Sequence, residues 1–309
     1  MSRRSMVIGA ALFAVYFVWG TTYLALRFGL EGFPPFILNG IRFTIAGLAL
    51  FAFAKWRGWP FPTKRQWINA TMVGTVLLVG GVGLVTIAED LGVGSGIAAT
   101  AVAMIPVWTA LIVGVLGEWP RRMEWAGLAF GLLGVVVLAQ EGDFRSTAVG
   151  TALIVIAPIL WSLGSVWSSK MDLPESPVMS TSVQVLAGGL VMLVLGPLRG
   201  ERIDSAPSLE SWLALLYLIV FGSIIAYTAY VFLLKAVRPV LATSYAYVNP
   251  VVAVIAGVAI GGEILTGPVF IAMPLILFGV ALVTLGQRRR PAAEPERIPT
   301  RPIPVEEAA

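Results

Sequence analysis

Tryptophan, tyrosine and hydroxyl side chains recur at helical spacing inside the apolar stretches of this 309-residue chain. In the first stretch Tyr16, Trp19 and Tyr23 follow at i, i+3 and i+7, and Thr22 lies one turn beyond Trp19. An indole offers a flat apolar surface for packing and a single N–H donor for placing a polar group. These residue types therefore indicate a binding surface.

Acid–base and metal chemistry have few candidate residues. The chain contains no cysteine and no histidine, which excludes a disulfide framework, a conventional zinc site and a histidine proton relay. Several acidic residues lie at the ends of apolar stretches, namely Glu89, Asp90, Glu118 and Glu263. We predict no cofactor and no metal site, and an enzyme would lack the paired groups that it needs.

The composition indicates an integral membrane protein. The hydrophobic fraction is 58% and the charged fraction is 12%, whereas soluble proteins have roughly 45–50% and 25%. About 20 apolar residues cross roughly 30 Å of hydrocarbon. By that measure the sequence predicts an all-α membrane protein with ten transmembrane helices, at about 7–28, 34–54, 68–88, 93–117, 123–140, 148–168, 178–197, 211–234, 240–262 and 267–286.

The chain consists of two copies of one unit. Pro106 and Pro250 are 144 residues apart and lie in the middle of two similar stretches, each of which ends in Gly-Glu. Further matched pairs are Trp19 with Trp161, Trp67 with Trp212, Arg42 with Gln184, Gly47 with Gly189 and Gly134 with Gly279. Each copy has five predicted spans, and five is odd, so the second copy enters the membrane from the opposite side. We therefore predict two inverted five-helix repeats, at 1–140 and 141–287, and a disordered basic, proline-rich cytoplasmic tail at 288–309.

Basic residues are distributed unequally between the two sides. With the N-terminus inside, sixteen of the 21 lysines and arginines lie on the cytoplasmic side, and four on the other side, namely Arg27, Arg145, Arg199 and Arg202. This bias predicts that both termini are cytoplasmic. It also explains the basic charge without nucleic-acid binding, and the long first apolar run favours an uncleaved helix over a signal peptide.

Inverted repeats are the recurrent architecture of secondary transporters, with the binding site near the midplane between the halves. The candidate substrate-binding residues are polar and aromatic side chains inside the predicted spans, namely Trp19, Thr22, Asn39, Met104, Trp108, Trp161, Ser165, Tyr227, Tyr245 and Asn249. Pro106 should break the fourth span near Met104 and Trp108. The aromatic stripe around Trp19 could instead be an interfacial belt.

Arg42 and the glycines of the fifth span each leave alternatives open. A charge at membrane depth costs roughly 2.5–3.5 kcal/mol, so Arg42 either faces protein or water, or it snorkels to the outer interface. Gly127, Gly131 and Gly134 form a small-residue face that favours packing inside the first half over a dimer contact.

The motifs resemble those of a known family. They are Trp19-Gly20-Thr21-Thr22-Tyr23, Arg42-Phe43 with Ala46-Gly47, Pro106, Gly117-Glu118, and the stretch ATSYAYVNP at 242–250. Over residues 7–287 the chain is similar to EamA-type members of the drug/metabolite transporter superfamily in the bacterial inner membrane. This resemblance implies ten helices in two inverted repeats and export of small metabolites, aromatic amino acids among them. It also implies a central cavity lined by the first, third, fourth, sixth, eighth and ninth helices.

The leading hypothesis is a secondary transporter, either an exporter or a facilitator, of small amphiphilic metabolites, amino acids among them. Its predicted partners are a small-molecule substrate and the lipid bilayer, with no nucleic acid, and the protein is a monomer or a weak homodimer. The alternative is a proton-coupled multidrug exporter, which would use a carboxylate inside the membrane. Glu89, Asp90, Glu118 and Glu263 lie at helix ends, which favours the first hypothesis.

Overall fold

The computed structural model describes residues 3–93, 95–140, 147–261 and 267–288, and these residues contain helices and no β-strand. The predicted external bridge at 141–146, Glu263 and the predicted tail beyond residue 288 lie outside the described residues. The side chains of Tyr23 and Glu89 also lie outside them.

Ten helical segments follow one another in the described part of the chain. The first half contains α1 (Arg3–Leu30), α2 (Pro35–Trp56), α3 (Lys64–Gly74, Thr75–Gly83 and Leu84–Asp90), α4 (Ser95–Ala103 and Ile105–Val115) and α5 (Arg122–Ala139). The second half contains α6 (Ala148–Lys170), α7 (Pro177–Leu198), α8 (Leu209–Tyr217, Leu218–Ala226 and Tyr227–Ala236), α9 (Tyr245–Gly261, after the short helix Pro239–Ala242) and α10 (Gly267–Arg288).

Seven of the described helices are long and apolar enough to cross a membrane, namely α1, α2, α3, α6, α7, α8 and α10. The segment Thr100–Val115 of α4 is a shorter apolar helix. The prediction of an all-helical protein with several membrane-spanning helices is confirmed. Ten complete crossings stay a prediction, because helix length and composition show only seven.

Helices α3 and α8 each contain a nine-residue π-helical segment, at Thr75–Gly83 and Leu218–Ala226. The two segments occupy the same place in the two halves, in the third helix of each. A π-helix has i→i+5 hydrogen bonds and often marks a functional site. Neither segment was predicted from the sequence.

Helix α4 is interrupted close to the predicted proline. Its first piece ends at Ala103, and its second begins at Ile105 with Pro106 in the first turn, where the missing N–H is not needed. The matching Pro250 lies inside the helix α9. The break in the fourth span is therefore confirmed, and the ninth span has no corresponding break at its proline.

The main helix contacts join the first half to the second. Helix α2 packs along α7 and α5 along α10, while α1 packs on α9 and α8, and α6 packs on α4 and α3. Helix α1 corresponds to α6, α3 to α8 and α4 to α9. When each helix is replaced by its counterpart in the other half, the same set of helix contacts results. The halves are therefore interlocked and do not form two separate bundles.

The glycine face of α5 packs against α10, which belongs to the other half. A methyl group on Gly127 would lie 2.6 Å from the carbonyl oxygen of Gly279, and one on Gly279 would lie 2.5 Å from the Gly131 nitrogen. Gly134 faces Ile276 and Ala272 in the same way. The prediction that this face packs inside the first half is wrong. Small residues here allow helices of opposite halves to approach closely.

Candidate functional site

An aromatic cluster, consisting of Trp19, Trp161, Tyr227, Tyr230 and Tyr245, lies where the two halves meet. The Trp19 ring centroid is 4.7 Å from that of Tyr245, 5.1 Å from Tyr230, 5.9 Å from Trp161 and 6.3 Å from Tyr227. Helix α1 of the first half supplies Trp19, and α6, α8 and α9 supply the other four. All five side chains are buried.

Hydrogen bonds hold the polar atoms of the aromatic cluster. The Trp161 Nε1–H donates to the Tyr230 hydroxyl oxygen at 3.1 Å, and that hydroxyl also lies 2.6 Å from Ser165 Oγ. The Tyr227 hydroxyl donates to Gln184 Oε1 at 3.1 Å. Because buried polar groups cost free energy unless they are paired, these bonds fix the orientation of the rings.

Each central tryptophan contacts a glycine of the π-helical segment in the opposite half. The Trp19 Nε1–H donates to the carbonyl oxygen of Gly222 in α8 at 3.1 Å. A methyl group on Gly81 in α3 would lie 2.6 Å from Trp161 Cε3, so only glycine leaves room for the indole there. Gly81 of the third span thus leaves room for Trp161, and each π-helical segment takes part in positioning one tryptophan.

Five of the predicted site residues lie in or directly on the aromatic cluster, namely Trp19, Trp161, Ser165, Tyr227 and Tyr245. Two more border it. The Thr22 hydroxyl donates to the carbonyl oxygen of Trp19 at 2.6 Å. With its amide oriented to suit its neighbours, Asn249 donates to the carbonyl oxygens of Tyr245 and Tyr16 at 3.1 and 3.0 Å.

The other three predicted residues are not brought into the aromatic cluster. Asn39 is buried and donates from Nδ2 to the Pro35 carbonyl oxygen at 2.9 Å, one turn earlier in its own helix. Met104 lies at the break in α4, and Trp108 follows one turn later; both are partly buried. Within the described residues, Trp108 makes no ring contact with the five cluster members.

Tyr230 and Gln184 were not among the predicted site residues. Tyr230 contacts four cluster members, and it was identifiable because it lies one helical turn after Tyr227. Gln184 was recognised only as the counterpart of Arg42. Its bond to Tyr227 joins α7 to α8, a contact that spacing within one helix cannot predict.

A cavity of about 910 Å³ lies outside the aromatic cluster, and none of the five cluster members lines it. It lies between α1, α7, α8 and the loop that joins α2 to α3. Its lining residues include Ala11, Phe61, Pro174, Met179, Ala229 and Phe232. Ala229 directly precedes Tyr230, so α8 both lines the cavity and supplies two members of the aromatic cluster.

A buried ion pair joins the two halves away from the aromatic cluster. An Nη group of Arg238, in the link between α8 and α9, lies 2.6 Å from the carboxylate of Glu124 at the start of α5. Glu124 is fully buried, and it also accepts the backbone N–H of Arg121 at 2.9 Å. Arg238 further donates to the Glu118 carbonyl oxygen at 3.0 Å. Glu124 was not among the carboxylates predicted from the sequence to lie at helix ends.

A family model described as the EamA-like transporter family matches residues 6–140 and 148–285. The chain belongs to the EamA-like transporter family. The predicted EamA resemblance is therefore confirmed, and the family name indicates a transporter rather than an enzyme.

The EamA relatives include proteins of similar length. One is the uncharacterized inner membrane transporter YedA of Escherichia coli K12, 43% identical over 94% of each chain. Another is the probable amino-acid metabolite efflux pump of Salmonella typhimurium, 25% identical over 95% of this chain and 99% of the relative. A solved crystal structure superposes with a TM-score of 0.77 at 25% identity and covers 93% of this chain and 99% of its own.

Proposed function

We propose that this EamA protein is a secondary transporter of the bacterial inner membrane that moves small amphiphilic metabolites, amino acids with aromatic side chains among them. The observation that carries the proposal is the aromatic cluster at the contact between the two halves. The similarity of the chain to a probable amino-acid metabolite efflux pump supports the substrate class. The solute would pass by alternating access between repeats 1–140 and 141–287.

The helix contacts support two inverted five-helix repeats with ten crossings. They are unchanged when the halves are exchanged, and the π-helical segments of α3 and α8 correspond to each other. Repeats with an odd number of spans have opposite orientations in the membrane. Rocking of one repeat against the other would then open the contact first on one side and later on the other.

The two central tryptophans would form the walls of the substrate site. In this structure the Trp19 and Trp161 rings meet edge to face, with their centroids 5.9 Å apart. Movement of α1 relative to α6 would separate the rings and admit a solute. The cavity near Ala229 would serve as the entry path, and Asn39, Met104 and Trp108 would line more distant parts of the route.

Solute counterflow in proteoliposomes tests this function. Vesicles containing the purified protein and a high internal concentration of an unlabelled amino acid should take up the same labelled amino acid transiently, without any imposed proton gradient. We expect the largest signal for amino acids with aromatic or large aliphatic side chains. Empty vesicles are the control.

Two results would contradict this proposal. Absence of counterflow for every amino acid, with uptake of organic cations only under a proton gradient, would favour the proton-coupled multidrug exporter. Turnover of a lipid by the purified protein would instead indicate an enzyme.

The proposed orientation places the 57–63 loop inside the cell and the 199–208 loop outside. Because the chain contains no cysteine, single cysteines report accessibility without background. In intact cells a membrane-impermeant maleimide should label Ser205→Cys, and it should label Arg57→Cys only after permeabilisation. Both positions are exposed, so a reversed labelling pattern would contradict the orientation.

A further inference from the structure

Arg42 in α2 is a buried cation with one hydrogen bond to a neighbouring helix. Only 7% of its surface is exposed, its Nε–H donates to the Ser223 hydroxyl oxygen at 3.2 Å, and its guanidinium lies 4.4 Å from the Phe43 ring centre. Within the described residues, no carboxylate forms an ion pair with it. A guanidinium has five N–H donors, so most of the hydrogen-bonding capacity of Arg42 is unused.

Arg42 borders the aromatic cluster at Gly222. A methyl group on Gly222 would lie 3.7 Å from Arg42 Nη2 and 3.2 Å from Thr22 Cγ2. The carbonyl oxygen of the same glycine accepts the Trp19 Nε1–H at 3.1 Å. One turn of the π-helical segment thus has a cation on one side and the central indole on another. A ligand with a charged head and an apolar body could contact both.

The second half has no charge at the position that corresponds to Arg42. The corresponding residue of the second half is Gln184, which is neutral and fully buried and which hydrogen-bonds Tyr227 of the same helix α8. A buried cation at membrane depth is costly and usually has a partner or a function. Arg42 also bonds inward to α8 at Ser223, which argues against snorkelling to the interface.

We propose that Arg42 binds the carboxylate of the transported solute while the aromatic cluster receives its apolar part. The planar guanidinium can form two parallel hydrogen bonds with a carboxylate, and the Ser223 hydroxyl holds it in position. The site therefore selects amphiphilic carboxylates over amides and amines of the same shape. This inference rests on the proposed function and adds the charged group that the solute must carry.

Binding of three matched probes to the purified protein tests the inference. Phenylalanine and 3-phenylpropionate carry a carboxylate, whereas phenylalaninamide has the same ring with a neutral amide. Since charge-assisted hydrogen bonds are the strong ones, we expect the wild type to bind both carboxylates about 10- to 100-fold more tightly than the amide. Tryptophan fluorescence or competition with labelled phenylalanine would measure the dissociation constants.

Substitutions then assign the preference to Arg42. Arg42→Gln, which installs the residue of the second half, should lose the carboxylate preference and bind the amide as the wild type does. Arg42→Lys should retain a smaller preference, because an ammonium keeps the charge without the paired donors. Arg199→Gln removes a partly exposed arginine that pairs with Asp90 at the surface, and it should behave as the wild type.

Each outcome decides the inference. Equal binding of carboxylate and amide by the wild type overturns it and leaves the proposed function standing, whereas binding of none of the probes overturns both. A folded Arg42→Gln protein that keeps the preference overturns the role of Arg42. If Arg42→Gln does not fold, Arg42→Lys decides: a preference at least about fivefold smaller supports the inference, and an unchanged preference overturns it.

Discussion

Glu124→Gln is expected to lower the stability of the folded protein by about 3–5 kcal/mol, because it leaves the Arg238 charge without its partner. The carboxylate is fully buried, and the side chain of Arg238 is 16% exposed. Glutamine keeps the size of the side chain, so the decrease in the free energy of unfolding would result from the lost charge and not from a cavity. Thermal unfolding of the detergent-purified protein, followed by tryptophan fluorescence, is the measurement.

The matched control is Lys170→Gln, which breaks the pair of Lys170 with Glu118. Those side chains are 44% and 37% exposed, so solvent screening should limit the loss to about 1 kcal/mol or less. Arg238→Gln should cost about as much as Glu124→Gln, and the double variant should cost less than the sum of the two. Equal unfolding temperatures for Glu124→Gln and Lys170→Gln would show that the buried pair contributes little.

Trp161→Ala is expected to abolish counterflow. The indole packs on Trp19 and Tyr230, and its Nε1–H donates to Tyr230, so truncation removes both a wall and an ordered donor of the proposed site. A purely structural tryptophan would instead lower stability by about 3–5 kcal/mol on truncation. The yield of folded protein, its melting temperature and its counterflow should therefore be measured together.

Trp161→Phe separates the two roles further. Phenylalanine retains an aromatic ring in the cluster but removes part of the packing surface and the donor, so we expect near-normal melting with solute affinity about tenfold weaker. Trp212→Phe is the matched control, because this tryptophan is 51% exposed and, among the described rings, contacts only Phe33, edge to face. Normal counterflow by folded Trp161→Ala contradicts the site assignment. If Trp161→Ala misfolds and Trp161→Phe transports normally, Trp161 belongs to the core.

The helical architecture could be predicted because it depends on local properties. Apolar runs of about 20 residues and the scarcity of charge define membrane-spanning helices before any tertiary contact is known. The motifs around Trp19, Arg42, Pro106 and Glu118, together with the stretch at 242–250, predicted the EamA family, which the family match confirms. The break beside Pro106 was also predictable, since proline lacks the N–H that a helix interior requires.

The composition of the candidate site could be predicted only in part. Trp19, Trp161 and Tyr245 meet in the structure. Trp108 is also an aromatic residue inside a predicted span, but it lies outside the aromatic cluster. Tyr230 could have been included from its spacing after Tyr227, whereas Gln184 could not, because its contact is with Tyr227 of another helix. Helical spacing shows which residues share a face of one helix, but it does not show which other helix that face meets.

The sequence by itself determined the all-helical class and the family, and it predicted the internal repeat, because hydrophobicity, proline and repeated motifs are properties of the chain. Only the tertiary structure decided that α5 packs on α10 through Gly127 and Gly279, that Glu124 pairs with Arg238, and that both π-helical segments contact tryptophans. Each of these contacts joins residues more than 75 positions apart. They depend on how the two halves interlock, since close packing at one crossing fixes the position of side chains at the next.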